Sequence, residues 1–264
     1  MRVAFVGAGR VGISLACFFK SRGIPVVGIV ARSEASASRV VKHLGEHALF
    51  TRMEDVPPID VLFLTVKDSA IKDVAAGARA LFPHAVIVHT SGAHPSTLIP
   101  GEGRASLHPL QSLAQLEVAL EVIPGSLFTL EGDEKGVRAV GELAERAGLD
   151  VVQISPQKKP LYHAAAVVAS NYLVTLMYEA LKILELSGFP LDRGVEGLVC
   201  LAEGTLRNIK AKGVPHALTG PIARGDWDTV RLHLEELSGA GEPEEFYRYM
   251  ARLTARMIGV EPEL

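Results

Sequence analysis

A short apolar strand that runs straight into three spaced glycines constrains this chain more than any other feature. Met1-Arg2-Val3-Ala4-Phe5-Val6 leads into Gly7-Ala8-Gly9-Arg10-Val11-Gly12, and a helical pattern follows at once. In a G-x-G-x-x-G turn the first glycine permits the tight bend and the second lets backbone approach a pyrophosphate. The third allows the helix to pack against the strand. The unpaired N–H groups and positive dipole end of such a helix favour phosphate. The glycine pattern alone is weak, and the flanking strand and helix give it meaning. The stretch from Gly7 to Gly12, with Ala8, Gly9, Arg10 and Val11, is therefore expected to hold a dinucleotide.

The next strand indicates which dinucleotide. Sites for NAD commonly end the second strand in a carboxylate, about 20 residues past the fingerprint, to hold the ribose 2′-hydroxyl. Here Pro25-Val26-Val27-Gly28-Ile29-Val30 is followed by Ala31-Arg32-Ser33. A guanidinium pairs with a 2′-phosphate through charge-assisted, bidentate bonds, and a serine adds one more. Ser33 also suits the N-cap of the following helix, a role compatible with phosphate binding. Glu34 fits the first turn of that helix, where negative charge is favoured. NADP is the expected cofactor.

Two cysteines, Cys17 and Cys200, lie far apart and form no disulfide framework. Net charge is −3 with a pI near 6.3, without a basic run, so no nucleic-acid partner is expected. The first strand starts at Arg2, from which no signal or transit peptide is expected. The longest apolar stretch, Ala164 to Leu186, is interrupted by Asn171, Glu179, Lys182 and Glu185. It reads as a buried bundle helix, not a membrane span, and a cytoplasmic protein is expected.

Strand and helix patterns alternate to about residue 154, as in an α/β fold with a doubly wound, mostly parallel sheet. Strands are expected at 2–6, 25–30, 47–51, 60–66, 85–89, 104–107, 125–130 and 150–154, and helices at 10–22, 34–45, 68–81 and 133–147. Beyond Ser155-Pro156 the strand signals stop, and helical patterns cover 157–187, 191–212, 226–237 and 243–258. The expected organisation is a nucleotide-binding domain at 1–154 and an all-helical domain at 155–264. The helix near 163–187 is apolar almost all round and so needs neighbours on most sides. A homodimer through the helical domain is expected.

Ligands of open parallel sheets gather beyond the carboxyl ends of the strands. After the fourth strand, Thr65 and Val66 are placed along the cofactor, with Asp68 a possible cap of the next helix. After the fifth comes His89-Thr90-Ser91-Gly92-Ala93-His94, where Ser91 either holds a carboxamide or substrate oxygen or belongs to a serine–glycine turn. His108 follows the sixth strand. His89, His94 and His108 lack the spacing and the accompanying carboxylate or cysteine of a metal site, and no metal is expected. On the long helix, 3.6 residues per turn align His163, Val167 and Asn171. A His–Asn pair on an apolar helix either satisfies itself or faces a wet cleft. His163 suits general acid work and Asn171 the orientation of a carbonyl oxygen. In Thr219-Gly220-Pro221-Ile222-Ala223-Arg224-Gly225-Asp226, Arg224 can clamp a carboxylate or simply lie in a helix connection that Asp226 caps.

The fingerprint, His89-Thr90-Ser91-Gly92, Ser106-Leu107-His108-Pro109-Leu110-Gln111-Ser112, Tyr162-His163-Ala164-Ala165 with Ser170-Asn171, and Gly220-Pro221-Ile222-Ala223-Arg224-Gly225-Asp226 occur in that order. Together they resemble a bacterial family of Rossmann-like proteins whose C-terminal helical domain long carried an unknown-function label. That family is similar in build to pyrroline-5-carboxylate reductase, ketopantoate reductase and the 6-phosphogluconate and 3-hydroxyacid dehydrogenases. Members resembling this chain are linked to an alternative ketopantoate reductase. Relatives in the ketopantoate and hydroxyacid branches carry a catalytic lysine four residues before the asparagine. Val167 stands at that position here, so a lysine-based mechanism does not carry over, and His163 is the polar substitute.

Residues and resemblance together lead to one expectation, an NADPH-dependent oxidoreductase acting on a small keto or imino acid, with ketopantoate the best single substrate. His163 donates the proton, Asn171 and Ser91 orient the oxygen, and Arg224 binds the carboxylate. The alternative is a non-catalytic NADP-binding sensor, since cofactor binding serves both.

Overall fold

A computed structural model describes residues 1–264. The chain divides into two compact units, Met1–Val167 and Val168–Leu264. The first holds strands β1 (Val3–Val6), β2 (Val26–Val30), β3 (Leu49–Phe50), β4 (Val61–Leu64), β5 (Val86–His89), β6 (Arg104–Pro109), β7 (Leu127–Gly132) and β8 (Asp150–Gln153). Between them lie helices α1 (Arg10–Ser21), α2 (Glu34–Leu44), α3 (Ile71–Leu81), α4 (Leu116–Val122) and α5 (Glu134–Ala147). One eight-stranded sheet runs in the order β3-β2-β1-β4-β5-β6-β7-β8. All neighbours are parallel except β6 and β7. This is the doubly wound, Rossmann-like arrangement, with its topological switch between β1 and β4.

Near-continuous apolar strands explain why the sheet is covered on both faces. Alternate residues supply two cores, one through Val3, Phe5, Val61, Phe63 and Val88, the other through Ala4, Val6, Leu62, Leu64 and Ile87. Phe5 stacks on Phe63 at 5.1 Å between ring centroids, and Phe19 of α1 closes the cluster. Ser33 caps α2 by accepting the Ser36 N–H, and Asp133 caps α5 through Gly136 N–H. α4 has no counterpart among the expected helices. It is only seven residues long, too short for a periodic signal to stand out.

Helix α6 (Lys159–Leu186) starts in the first unit and continues into the second, so the division falls inside a helix. The second unit continues with α7 (Leu191–Lys212), the single turn α8 (Pro221–Arg224), α9 (Trp227–Glu236) and α10 (Glu242–Met257). Val230, Leu234 and Ala251 form its small core, with Trp227 and Tyr247 packed against it. Asp226 caps α9, accepting the N–H and hydroxyl of Thr229. The expectation that α6 is a buried bundle helix needs correction for the single chain. Val168, Tyr172, Val174 and Tyr178 are all more than half exposed, because the helices of one chain are too few to surround so apolar a helix.

Candidate functional site

The fingerprint builds one end of the site. Gly7 takes a positive φ of 105°, and a Cβ there would strike the Thr65 carbonyl. A Cβ on Gly12 would collide with the Gly7 carbonyl and the Thr65 hydroxyl, so α1 packs as closely as only glycine permits. Thr65 Oγ1 donates to Gly7 O at 2.6 Å. Thr65 thus shapes the turn, and Val66 forms the cavity wall. Gly9 is the N-cap of α1, leaving the helix's first N–H groups unpaired, with Arg10 exposed and Val11 half-buried beside them. Beyond the carboxyl ends of β1 and β2 lies a cavity of about 530 Å³. Gly7, Ala8 and Gly9 form one wall, and Arg32, Ser33 and Ser36 another.

The antiparallel β6–β7 pair builds the other end. In register, Leu107 faces Leu130, Ser106 faces Glu131, and His108 faces Thr129. Side chains alternate between faces along a strand. One face therefore carries Leu107, Phe128 and Leu130 into the apolar core, while the other carries Ser106, His108, Thr129 and Glu131. His89 of β5 lies beside Ser106, extending this polar row. The first turns of α6 cover it. Lys159 is completely buried, and its ammonium donates to Ser91 O at 2.9 Å and Ser106 Oγ at 2.7 Å. It lies 3.9 Å from Glu131 Oε1, and Glu131 in turn accepts the Ser96 N–H and hydroxyl, each at 2.7 Å. Burial, opposed by the Glu131 carboxylate, pulls the lysine from its ordinary 10.5 to about 8.

One turn further along α6, Tyr162 OH is 2.8 Å from His108 Nδ1. His163 meets His108 edge to face, with ring centroids 5.8 Å apart. Both imidazoles converge on Gly92, where a Cβ would lie 2.5 Å from His163 Nδ1 and 2.8 Å from His108 Nε2. Glycine is required there by close approach. His163 Nδ1 is walled in without a partner, which leaves Nε2 as the ring's usable nitrogen. Burial holds His108 down at about 4, with the Lys159 charge pushing the same way, so its ring is neutral near pH 7.

Of the remaining expected residues, Ser91 is buried and its hydroxyl is engaged. It donates to Asp68 at 2.8 Å and accepts the His94 N–H, which favours the turn reading over a free hydroxyl. Asp68 serves this loop, and the expected helix-cap contact is replaced by the bond from Ser91. No group of three or more His, Cys, Asp or Glu is arranged to hold a metal ion. Asn171 and Arg224 lie in the second unit, both exposed. Sequence reasoning missed Lys159, Glu131 and Tyr162. The available signal was Glu131 itself, a carboxylate in the otherwise apolar run Leu127-Phe128-Thr129-Leu130, which demands a buried cation or donors.

This fold and these clusters define a Rossmann-like α/β domain followed by a helical domain. A model of a Rossmann-like domain matches residues 1–110, and one described as a domain of unknown function, DUF2520, matches residues 126–254. The solved structure of protein TM1727 from Thermotoga maritima is 34% identical, with a TM-score of 0.77 over 97% of both chains. The chain therefore belongs to the family of Rossmann-like proteins that carry a DUF2520 C-terminal domain. A pyrroline carboxylate reductase from Plasmodium falciparum, solved with NADP bound, shares the fold at 11% identity, with a TM-score of 0.62 over 95% of this chain and 98% of that one. A curated pyrroline-5-carboxylate reductase from Pseudomonas aeruginosa is 37% identical over 98 residues, and the match spans 36% of each chain.

Proposed function

We propose that the protein is an NADPH-dependent reductase of a small keto or imino acid, with ketopantoate as its first candidate substrate. The observation that carries this reading is the pairing of two features on one sheet. A glycine-walled cavity edged by Arg32 and Ser33 opens past β1 and β2, and His108, Tyr162 and His163 converge on Gly92 past β5 and β6. The fit to NADP rests on the chemistry of the cavity, with unpaired helix N–H groups for the pyrophosphate and Arg32 for a 2′-phosphate, Ser33 shaping that wall by capping α2. When bound, NADPH supplies the hydride that reduces a carbonyl or imine carbon. His163, through Nε2, gives the proton to the oxygen or nitrogen, and Tyr162 holds the neighbouring His108 ring. Roles for Asn171 in orienting the oxygen and Arg224 in holding the carboxylate rest on the chemistry of an amide and a guanidinium. Ser91, with its hydroxyl bonded to Asp68 and the His94 N–H, shapes the loop after β5 and does not hold the oxygen.

NADPH oxidation followed by absorbance against ketopantoate, other 2-keto acids and cyclic imines tests the reading. His163→Ala is expected to lower turnover roughly 10²- to 10⁴-fold, the usual worth of a positioned acid, while NADPH affinity stays within about threefold. Tight NADPH binding without turnover of any compound would support the alternative, an NADP-binding sensor.

We also propose a homodimer through the helical domain, in the cytoplasm. By length and composition α6 could cross a membrane. Its Lys182, however, pairs with Glu179 at 3.1 Å and with Glu242 of α10 at 2.6 Å, polar contacts that suit a water-soluble bundle. The exposed apolar side chains of α6 and α7, among them Val174 and Leu201, then need a second copy to cover them. Light scattering without detergent should give twice the 28.2 kDa chain mass. A stable monomer at micromolar concentration would exclude this dimer.

A further inference from the structure

We infer that Arg52 is a second guanidinium for the cofactor's 2′-phosphate and that it sets the preference for NADPH over NADH. The inference rests on the NADP reading above and extends it to a residue that the β2 sequence signal does not reach. The register of two parallel strands places the residue. Val30 of β2 lies beside Phe50 of β3, and Ala31 N–H donates to Phe50 O at 2.9 Å. The two chains leave the sheet side by side, which brings Arg52 to the same level as Arg32. Both arginines line the same cavity, together with Ser33 and Ser36.

The chemistry of this corner fits a doubly charged phosphate better than a ribose hydroxyl. A phosphate monoester carries close to two negative charges near neutral pH, and each arginine neutralises one through a planar fork of donors. Arg39 is already committed, its Nε donating to Ala8 O and its Nη2 to Ser36 Oγ, so it braces the wall. Ser36 Oγ also accepts from Ser33 Oγ at 2.9 Å, which leaves the Ser36 proton free for an anion. Arg52 makes one ion pair, Nε to Glu54 Oε2 at 3.5 Å, with both side chains more than half exposed. Such a pair is weak and exchanges easily for a phosphate. Glu54 also lines the cavity and is the kind of group that holds a 2′-hydroxyl in sites selecting NAD. Arg52 therefore acts twice, attracting the phosphate and masking the carboxylate that would repel it.

Calorimetric titration of NADPH, NADH and 2′,5′-ADP into the wild type, Arg52→Ala, Arg32→Ala and the double variant Arg52→Ala/Glu54→Gln tests this. Arg52→Ala should weaken NADPH and 2′,5′-ADP about 10- to 100-fold, the worth of one charge-assisted pair, and leave NADH within about twofold. Removing Glu54 as well should recover part of the lost NADPH affinity. If Arg32→Ala loses NADPH preference while Arg52→Ala keeps it, the role of Arg52 fails and the NADP reading stands. Equal weakening of NADPH and NADH by Arg52→Ala would mark a distorted loop and would also overturn the assignment. A wild type that binds NADH as tightly as NADPH removes both readings together.

Discussion

Lys159→Met is expected to lower the free energy of unfolding by about 3–5 kcal/mol, the penalty for stranding one charge of a buried pair. Against a typical domain stability of roughly 5–15 kcal/mol, that is enough to threaten the fold. The cause lies less in the lysine than in what it leaves behind. Glu131 is 3% exposed and its carboxylate keeps only the Ser96 N–H and hydroxyl, while Ser91 O and Ser106 Oγ each lose a donor. Glu131→Gln, which keeps an acceptor for Ser96, should cost less. The double variant Lys159→Met/Glu131→Gln should be more stable than the sum of the singles by about 1–3 kcal/mol, because the two sites share one network. Urea unfolding of the four proteins measures the coupling. A Lys159→Met cost below about 1 kcal/mol, or strictly additive singles, would show that the pair carries little.

Stability alone gives a poor reason for such a pair, since well-packed apolar residues in the same place often do as well. Register gives a better one. Lys159 ties the start of α6 to the loop after β5 through Ser91, to β6 through Ser106 and to β7 through Glu131. Tyr162 and His163 follow one turn later on the same helix, opposite the next cross-strand pair, His108 and Thr129. A helix held only by apolar contacts can settle in several positions on a sheet. One held at Lys159 brings His163 to Gly92 in a single position.

The sequence showed the sheet and the glycine-rich end plainly because both depend on local signals. Strands β1, β2 and β4 are apolar runs bounded by turns, and the turn from Gly7 to Gly12 needs glycine for reasons visible within six residues. Arg32 and Ser33 follow β2 directly, so their placement needs no tertiary knowledge. The end built from His108, Tyr162 and His163 was harder to read, because it depends on registers that no local pattern encodes. His108, Glu131 and Lys159 are far apart in the chain and meet only when β6 pairs with β7 and α6 crosses both. Lys159 follows Lys158 at the start of a helix, where a lysine is ordinarily solvated. Ser91 had two readings in the sequence, an oxygen-holding hydroxyl or a serine–glycine turn, and only the fold closes its hydroxyl between Asp68 and His94.

The same polar row should make the fold acid-labile. His89 is fully buried, and its Nδ1 accepts the Ser91 N–H at 3.2 Å. Burial pulls it from 6.5 to about 4, and the nearby Lys159 ammonium adds to that shift. Between those two values the unfolded chain takes up a proton that the folded chain refuses, so stability falls as pH drops from about 6.5 towards 4. One histidine shifted this far accounts for roughly 3 kcal/mol across the window, and His108, displaced in the same direction, adds to it. Below about 4 the folded state accepts the proton and this contribution stops changing. His89→Asn keeps an acceptor for the Ser91 N–H and removes the His89 share of the titration, so its unfolding free energy should fall less over the same range, with the His108 share remaining. Denaturant unfolding of both proteins at half-unit steps from pH 7 to 4 measures the difference. Parallel curves would mean that His89 is protonated in the folded state near its ordinary value, and would overturn this assignment.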